Sequence, residues 1–144
     1  MMPGLAVADP SNAWMGLVPA SAILVALVVN TASMGKRDTN YKCAFATNML
    51  CAALLMENAA WTVEVFGGGT ETGIFWVLFS SAGMHVAAAC VAARGLWEFR
   101  VRTHWSHGRQ RALWGIWMNV VMLLALAGWF YLRFDKELYD RIFG

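Results

Sequence analysis

Glu57 and His85 are the residues of this chain best suited to chemistry. Each falls inside a long apolar stretch, 43–66 and 73–97 respectively. The depth of each follows from a helical rise of about 1.5 Å per residue, counted from Phe66 and Gly73, the ends that share a short connection. Glu57 then lies ~13 Å deep and His85 ~18 Å deep. The two heights agree within about one helical turn, so a carboxylate–imidazole contact is expected where the two faces meet. Asn58 adjoins Glu57. An ionisable group at such depth is costly and turns toward protein, water or a ligand. A Glu–His pair there can hold two helices together, or it can serve a ligand or a proton.

The surroundings of His85 are small: Ser80-Ser81-Ala82-Gly83-Met84 before it, Val86-Ala87-Ala88-Ala89-Cys90 after it. Small residues one turn away on either side leave room for a flat macrocycle. Imidazole is an axial ligand of haem iron, so haem b or a chlorin is the cofactor this setting would take. Ser81-x-x-x-His85 is similar to the small-xxx-His form of light-harvesting polypeptides. The same small residues are what close helix packing in lipid requires. A metal site is not expected. Met84, His85, Cys51, Cys90 and Glu57 offer donors, but no two share a helix at ligand spacing. No nucleophile–base pair and no hydrolase motif is present, so no catalytic residue is assigned.

Amides form a second polar set. Asn30, Asn48 and Asn119 are expected at one level, ~6–10 Å from the ends of their helices at 1.5 Å per residue, as interhelical hydrogen-bonding groups. Asn48, Cys51, Leu55, Asn58 and Thr62 recur at steps of three and four and share one face of their helix. Glu57, Trp61 and Glu64 lie on a different face, so this helix is expected to be enclosed on two sides. Glu64, near the border, is expected to be solvated.

The elements that must position these groups are four apolar stretches, 14–34, 43–66, 73–97 and 112–132. Each is about long enough to cross a hydrocarbon core of roughly 30 Å as a helix. The chain is therefore expected to be all-α, a single integral membrane four-helix bundle over residues 1–144. Apolar residues make up 59% and charged residues only 14%, against about 25% charged in an average soluble domain. The gap after the first stretch carries Lys36, Arg37 and Lys42 with Asp38. The gap after the third carries Arg94, Arg100, Arg102, Arg109 and Arg111 with Glu98. The gap between the second and third holds no base. By the positive-inside rule the basic gaps lie in the cytoplasm and both termini outside it, most simply in a bacterial inner membrane. Lys36, Arg37, Arg100, Arg102, Arg109 and Arg111 are expected to meet lipid headgroups, with bound phospholipid. His104 and His107 in the same loop should meet headgroups or a partner. A nucleic-acid partner is not expected, because no basic face is paired with an aromatic platform.

Cys43, Cys51 and Cys90 are odd in number and form no CxxC pair, so no disulfide framework is indicated. The N-terminal segment lacks a basic n-region, so the first stretch should remain in the mature chain. Asp9 or Ser11 reads as a helix cap, and Pro19 should bend the first helix. Gly67-Gly68-Gly69-Thr70 is an outer turn and no phosphate loop. Trp14, Trp61, Trp76 and Trp129 mark one border, and Trp97, Trp105, Trp114 and Trp117 the other. Phe134, Leu138 and Ile142 suggest a short interfacial helix in the tail 133–144. No internal repeat suggests a two-half transporter.

In size and span count the chain is similar to four-helix membrane glutathione-dependent enzymes. It lacks their Arg-Ala…Asn…Glu signature on the second helix and their longer first loop. His85 followed by Arg94 and Glu98 resembles the arrangement in respiratory membrane anchors of the succinate dehydrogenase type. The leading expectation is an accessory or anchor subunit of a larger membrane complex, most simply a redox, energy-transducing one, with other membrane subunits and lipids as partners. The first alternative is a haem- or chlorin-binding protein ligating through His85. The second is a small proton-coupled carrier using Glu57.

Overall fold

A computed structural model describes residues 14–36, 39–66, 69–101, 109–135 and 140–141. Among them run four α-helices: α1 (Trp14–Ser33), α2 (Tyr41–Val65), α3 (Glu71–Val101) and α4 (Arg109–Phe134). All four are long and apolar enough to cross a membrane. The four stretches read from the sequence are these helices, which begin up to three residues earlier at α2, α3 and α4. At 31 residues, α3 is about 46 Å long at 1.5 Å per residue and outreaches the hydrocarbon core. Asp9, Ser11, Arg37, Gly67, Gly68, Arg102, His104, Trp105, His107 and the tail beyond Asp135, apart from residues 140–141, lie outside the described residues.

Local chemistry sets the helix ends. Asn40 caps α2, its side-chain oxygen accepting from the Cys43 amide at 3.1 Å. The Thr70 hydroxyl accepts from the Gly73 amide at 3.1 Å, and Glu71 stands in the first turn of α3. Both satisfy donors that a helix start leaves open. Arg100 and Arg133 stand in the last turns of α3 and α4, where positive charge complements the helix dipole. α1 runs through Pro19.

The helices pack along heptad seams. On α2 Cys43, Ala46, Leu50, Ala53, Glu57 and Ala60 form a buried seam spaced alternately three and four, with Ala44 and Cys51 buried beside it. On α3 they are Ile74, Leu78, Ser81, His85, Ala88, Ala92 and Gly95. On α4 they are Ala112, Asn119 and Leu126, seven apart. A 3.5-residue repeat is the geometry of left-handed, near-parallel helix packing. α2 packs against all three other helices, α4 against α3 and α2, and α1 against α2 alone to any extent. The seam residues are mostly small, so the backbones approach closely. A Cβ on Gly16 would meet the Thr62 side chain at 2.5 Å, and one on Gly95 would meet Cys43 Sγ at 2.6 Å. The outward residues of α1 and α4, such as Val18, Val25, Trp114, Trp117 and Leu124, are exposed. In water they would be a liability; in a membrane they are the lipid face.

Two apolar clusters build the interior. One joins Cys43, Ala46, Ala92 and Ala112 toward the basic end. The other joins Ala60, Ile74, Leu78 and Leu126 toward the opposite end. Each end carries an ion pair. Lys42 pairs with Glu98, which also accepts from Asn40. At the far end Arg133 donates to Glu64 at 2.7 Å and to Glu71 at 3.1 Å, its guanidinium 5.4 Å from the Trp129 ring. Glu64 is thus half-buried and paired, and the expectation of a solvated carboxylate is corrected. Its partner stands 69 residues away, beyond any local pattern. Arg133→Ala should cost about 1–2 kcal/mol, because the half-buried Glu64 loses a charged hydrogen bond while the contact to exposed Glu71 is screened by solvent. Unfolding of the variant in bicelles at low and high salt would check this, and any loss should shrink with added salt.

Candidate functional site

Between the two apolar clusters lies a polar layer built by three helices. Glu57 of α2, Ser81 and His85 of α3 and Asn119 of α4 are 9%, 0%, 0% and 1% exposed. Each occupies a heptad seam position, and this places all four on inward faces at one height. His85 Nε2 lies 2.7 Å from Glu57 Oε1, and Nδ1 lies 2.7 Å from Asn119 Oδ1. The depth count from sequence thus ends in a direct contact.

The hydrogen bonds determine the protons. Asn119 Nδ2 donates to the Gly115 carbonyl at 2.7 Å, which fixes the amide orientation and turns Oδ1 to the imidazole. An amide oxygen only accepts, so His85 Nδ1 carries a hydrogen. Nε2 and Glu57 Oε1 then share a second proton, as imidazolium with carboxylate or as imidazole with carboxylic acid. The Ser81 hydroxyl lies 3.0 Å from Glu57 Oε1 and 2.8 Å from the Leu78 carbonyl, so its single hydrogen serves one or the other. Glu57 Oε2 is buried and has no hydrogen-bond partner among the described residues.

His85 does not fit the role of a tetrapyrrole ligand in this arrangement. Both ring nitrogens are engaged by protein oxygens and the ring is fully buried. The small residues expected to border a macrocycle divide between two faces. Ser81, Ala88 and Ala92 follow His85 into the bundle, whereas Gly83 and Cys90 are exposed. A step of two residues turns about 200° around a helix, so Gly83 cannot stand beside the His85 ring. The described residues include no cluster of three or more His, Cys, Asp or Glu able to hold a metal.

The amide layer is smaller than expected and lies nearer the basic end. Asn30 Nδ2 donates to Asn48 Oδ1 at 2.6 Å and to the Ala44 carbonyl at 2.7 Å. Asn48 Nδ2 lies 3.1 Å from the Thr31 hydroxyl. Asn119 does not join them. α4 starts at Arg109 rather than 112, which puts Asn119 about 15 Å along its helix at 1.5 Å per residue and level with His85. Arg111 takes the third place: its Nη1 donates to Ser33 Oγ at 3.2 Å and to Asn30 Oδ1 at 3.4 Å. A headgroup role for Arg111 therefore competes with an internal one. Lys36, Arg100 and Arg109 are exposed at that end, with Arg100 5.7 Å from the Trp97 ring. Asn58 points away from Glu57, donating to the Gly16 carbonyl of α1 at 3.0 Å. The two faces read on α2 thus meet different helices, α1 on one side and α3 with α4 on the other. Ser81 and the Arg133 cluster were not singled out from sequence as parts of these networks. The i, i+4 step from Ser81 to His85 is the one local signal that could have found the former.

Comparison with family models, with curated proteins and with solved structures finds no match.

Proposed function

We propose that the chain is an accessory or anchor subunit of a larger membrane complex and docks on a partner transmembrane helix through the outward face of α3. The observation that carries the reading is where this helix spends its small residues. One set, from Ser81 to Gly95, lines the internal seam. A second set, Ser80, Gly83 and Cys90, is exposed, with Ala87 half-exposed between them. A Cβ on Gly83 would meet nothing within 4 Å, so internal packing does not require glycine there. Against lipid a small residue forfeits contact that a larger apolar one would make, whereas against another helix it permits close backbone approach. The basic end, with exposed Lys36, Arg100 and Arg109, is assigned to the cytoplasm and to anionic headgroups, with both termini on the other side. A bacterial cytoplasmic membrane is the setting this implies.

The test is isolation of the tagged chain from its native membranes in mild detergent, beside Gly83→Leu. The wild type should elute with larger partners. The variant should elute alone while its own bundle is no less stable than the wild type, since replacing a mid-helix glycine removes a cost of about 0.5–1 kcal/mol. A wild type that elutes alone, or a variant that keeps the partners, contradicts the reading. An absorbance spectrum across the peak shows whether the complex is a redox one.

A further inference from the structure

We propose that Glu57 and His85 form a proton-binding site at the middle of the bundle, with Asn119 and Ser81 as its positioning residues. The inference stands apart from the docking face of α3. It begins with the charge map of the membrane interior. α1 has no Asp, Glu, Lys, Arg or His. α2 has none but Glu57 between Lys42 and Glu64, α3 none but His85 between Glu71 and Arg94, and α4 none between Arg111 and Arg133. One acid and one base therefore stand alone, and the structure joins them at 2.7 Å. α2 contributes the acid, α3 the base and the Ser81 hydroxyl, α4 only the Asn119 amide, and α1 packs on the other side of α2.

A polar layer serving only to join helices does not need ionisable groups. This chain builds one from amides, Asn30 to Asn48, a few turns away on α2. Glu57 with His85 provides what amides cannot, an exchangeable proton. The geometry isolates that proton. Nδ1 keeps its own hydrogen on Asn119, so the pair holds one more between Oε1 and Nε2, with net charge zero wherever it sits. Release converts the pair to carboxylate and neutral imidazole, net charge −1, and the proton passes to water; uptake is the reverse. Glu57 Oε2 is buried and has no partner among the described residues, so a proton or donor there displaces no existing bond. The resulting buried anion has no cation in its layer, so proton occupancy is coupled to the packing of α2, α3 and α4.

The experiment is pH-difference infrared spectroscopy of the full chain in lipid vesicles. Wild type should show a pH-dependent band of Glu57: a carboxylic C=O that shifts in D₂O where the proton sits on Oε1, or a displaced carboxylate stretch where it sits on Nε2. It should vanish in Glu57→Gln and shift in Ser81→Ala, with the helical circular dichroism retained in both. Ser81→Ala perturbs the site without altering charge, because it removes the hydroxyl that lies 3.0 Å from Oε1. Wild-type and Glu57→Gln difference spectra that coincide wherever the bundle stays helical would overturn the proposal. If Glu57→Gln fails to fold, ¹⁵N resonances of His85 in the wild type decide. The proposal expects Nε2 to change with pH while Nδ1 stays protonated, and an unchanged Nε2 refutes it.

Discussion

His85→Ala should destabilise the bundle by about 3–5 kcal/mol, the usual cost of leaving one member of a buried ion pair without its partner. The loss has two parts. Glu57 would keep only the shared Ser81 hydroxyl at Oε1, with Oε2 unpartnered among the described residues. Asn119 Oδ1, held toward the imidazole by the Gly115 carbonyl, would face a cavity. Glu57→Gln should be much milder, within about 1.5 kcal/mol, because the exchange is that of one neutral hydrogen bond. With Nδ1 protonated, Nε2 can accept from the new amide. Reversible unfolding of each variant in bicelles measures the difference. Equal losses for the two substitutions would mean that the cost is one of shape and not of charge.

Gly95→Ala should destabilise by about 1–3 kcal/mol, as overpacking of a tight core does. The added Cβ would meet Cys43 Sγ at 2.6 Å, the Cys43 backbone nitrogen at 3.1 Å and the Asn40 side-chain oxygen at 3.2 Å. Two of these contacts cannot yield cheaply. The nitrogen is backbone, and the Asn40 oxygen caps α2 while the Asn40 amide reaches toward Gly95 and Glu98. The substitution therefore disturbs the α2–α3 seam and a helix cap together. Gly83→Ala on the same helix should be neutral or more stable by up to about 1 kcal/mol in the isolated chain, because its Cβ meets nothing and a mid-helix glycine costs about that much relative to alanine. A single unfolding series on the two alanine variants checks both. A neutral Gly95→Ala would mean that α2 and α3 lie farther apart at this end than the seam requires.

The fold was legible in the sequence because hydrocarbon thickness sets a length that four apolar stretches meet, and the helices occupy those stretches. The Glu57–His85 contact was legible for a related reason. A short connection fixes two antiparallel helices in register, so depth can be counted from it. The facing of α3 was harder to read. In lipid both sides of a helix are apolar, and small residues line both its seam and its outward face. The heptad spacing from Ser81 through His85, Ala88 and Ala92 distinguishes the internal set, but only once His85 is known to point inward. The apolar run alone places Asn119 at the wrong level because α4 begins at Arg109, where apolar character has not yet started. The pairing of Arg133 with Glu64 and Glu71 joins the ends of three helices, and no local pattern carries such a contact.

The polar layer itself is best tested by a double-mutant cycle of Glu57→Gln and His85→Ala, read as unfolding free energy in bicelles. If the two side chains share a proton in a buried contact, the double variant is more stable than His85→Ala alone, because glutamine removes the stranded carboxylate. The coupling should then be about 1–3 kcal/mol, as for residues in direct contact. Losses that simply add, with coupling near zero, would show that Glu57 and His85 do not meet.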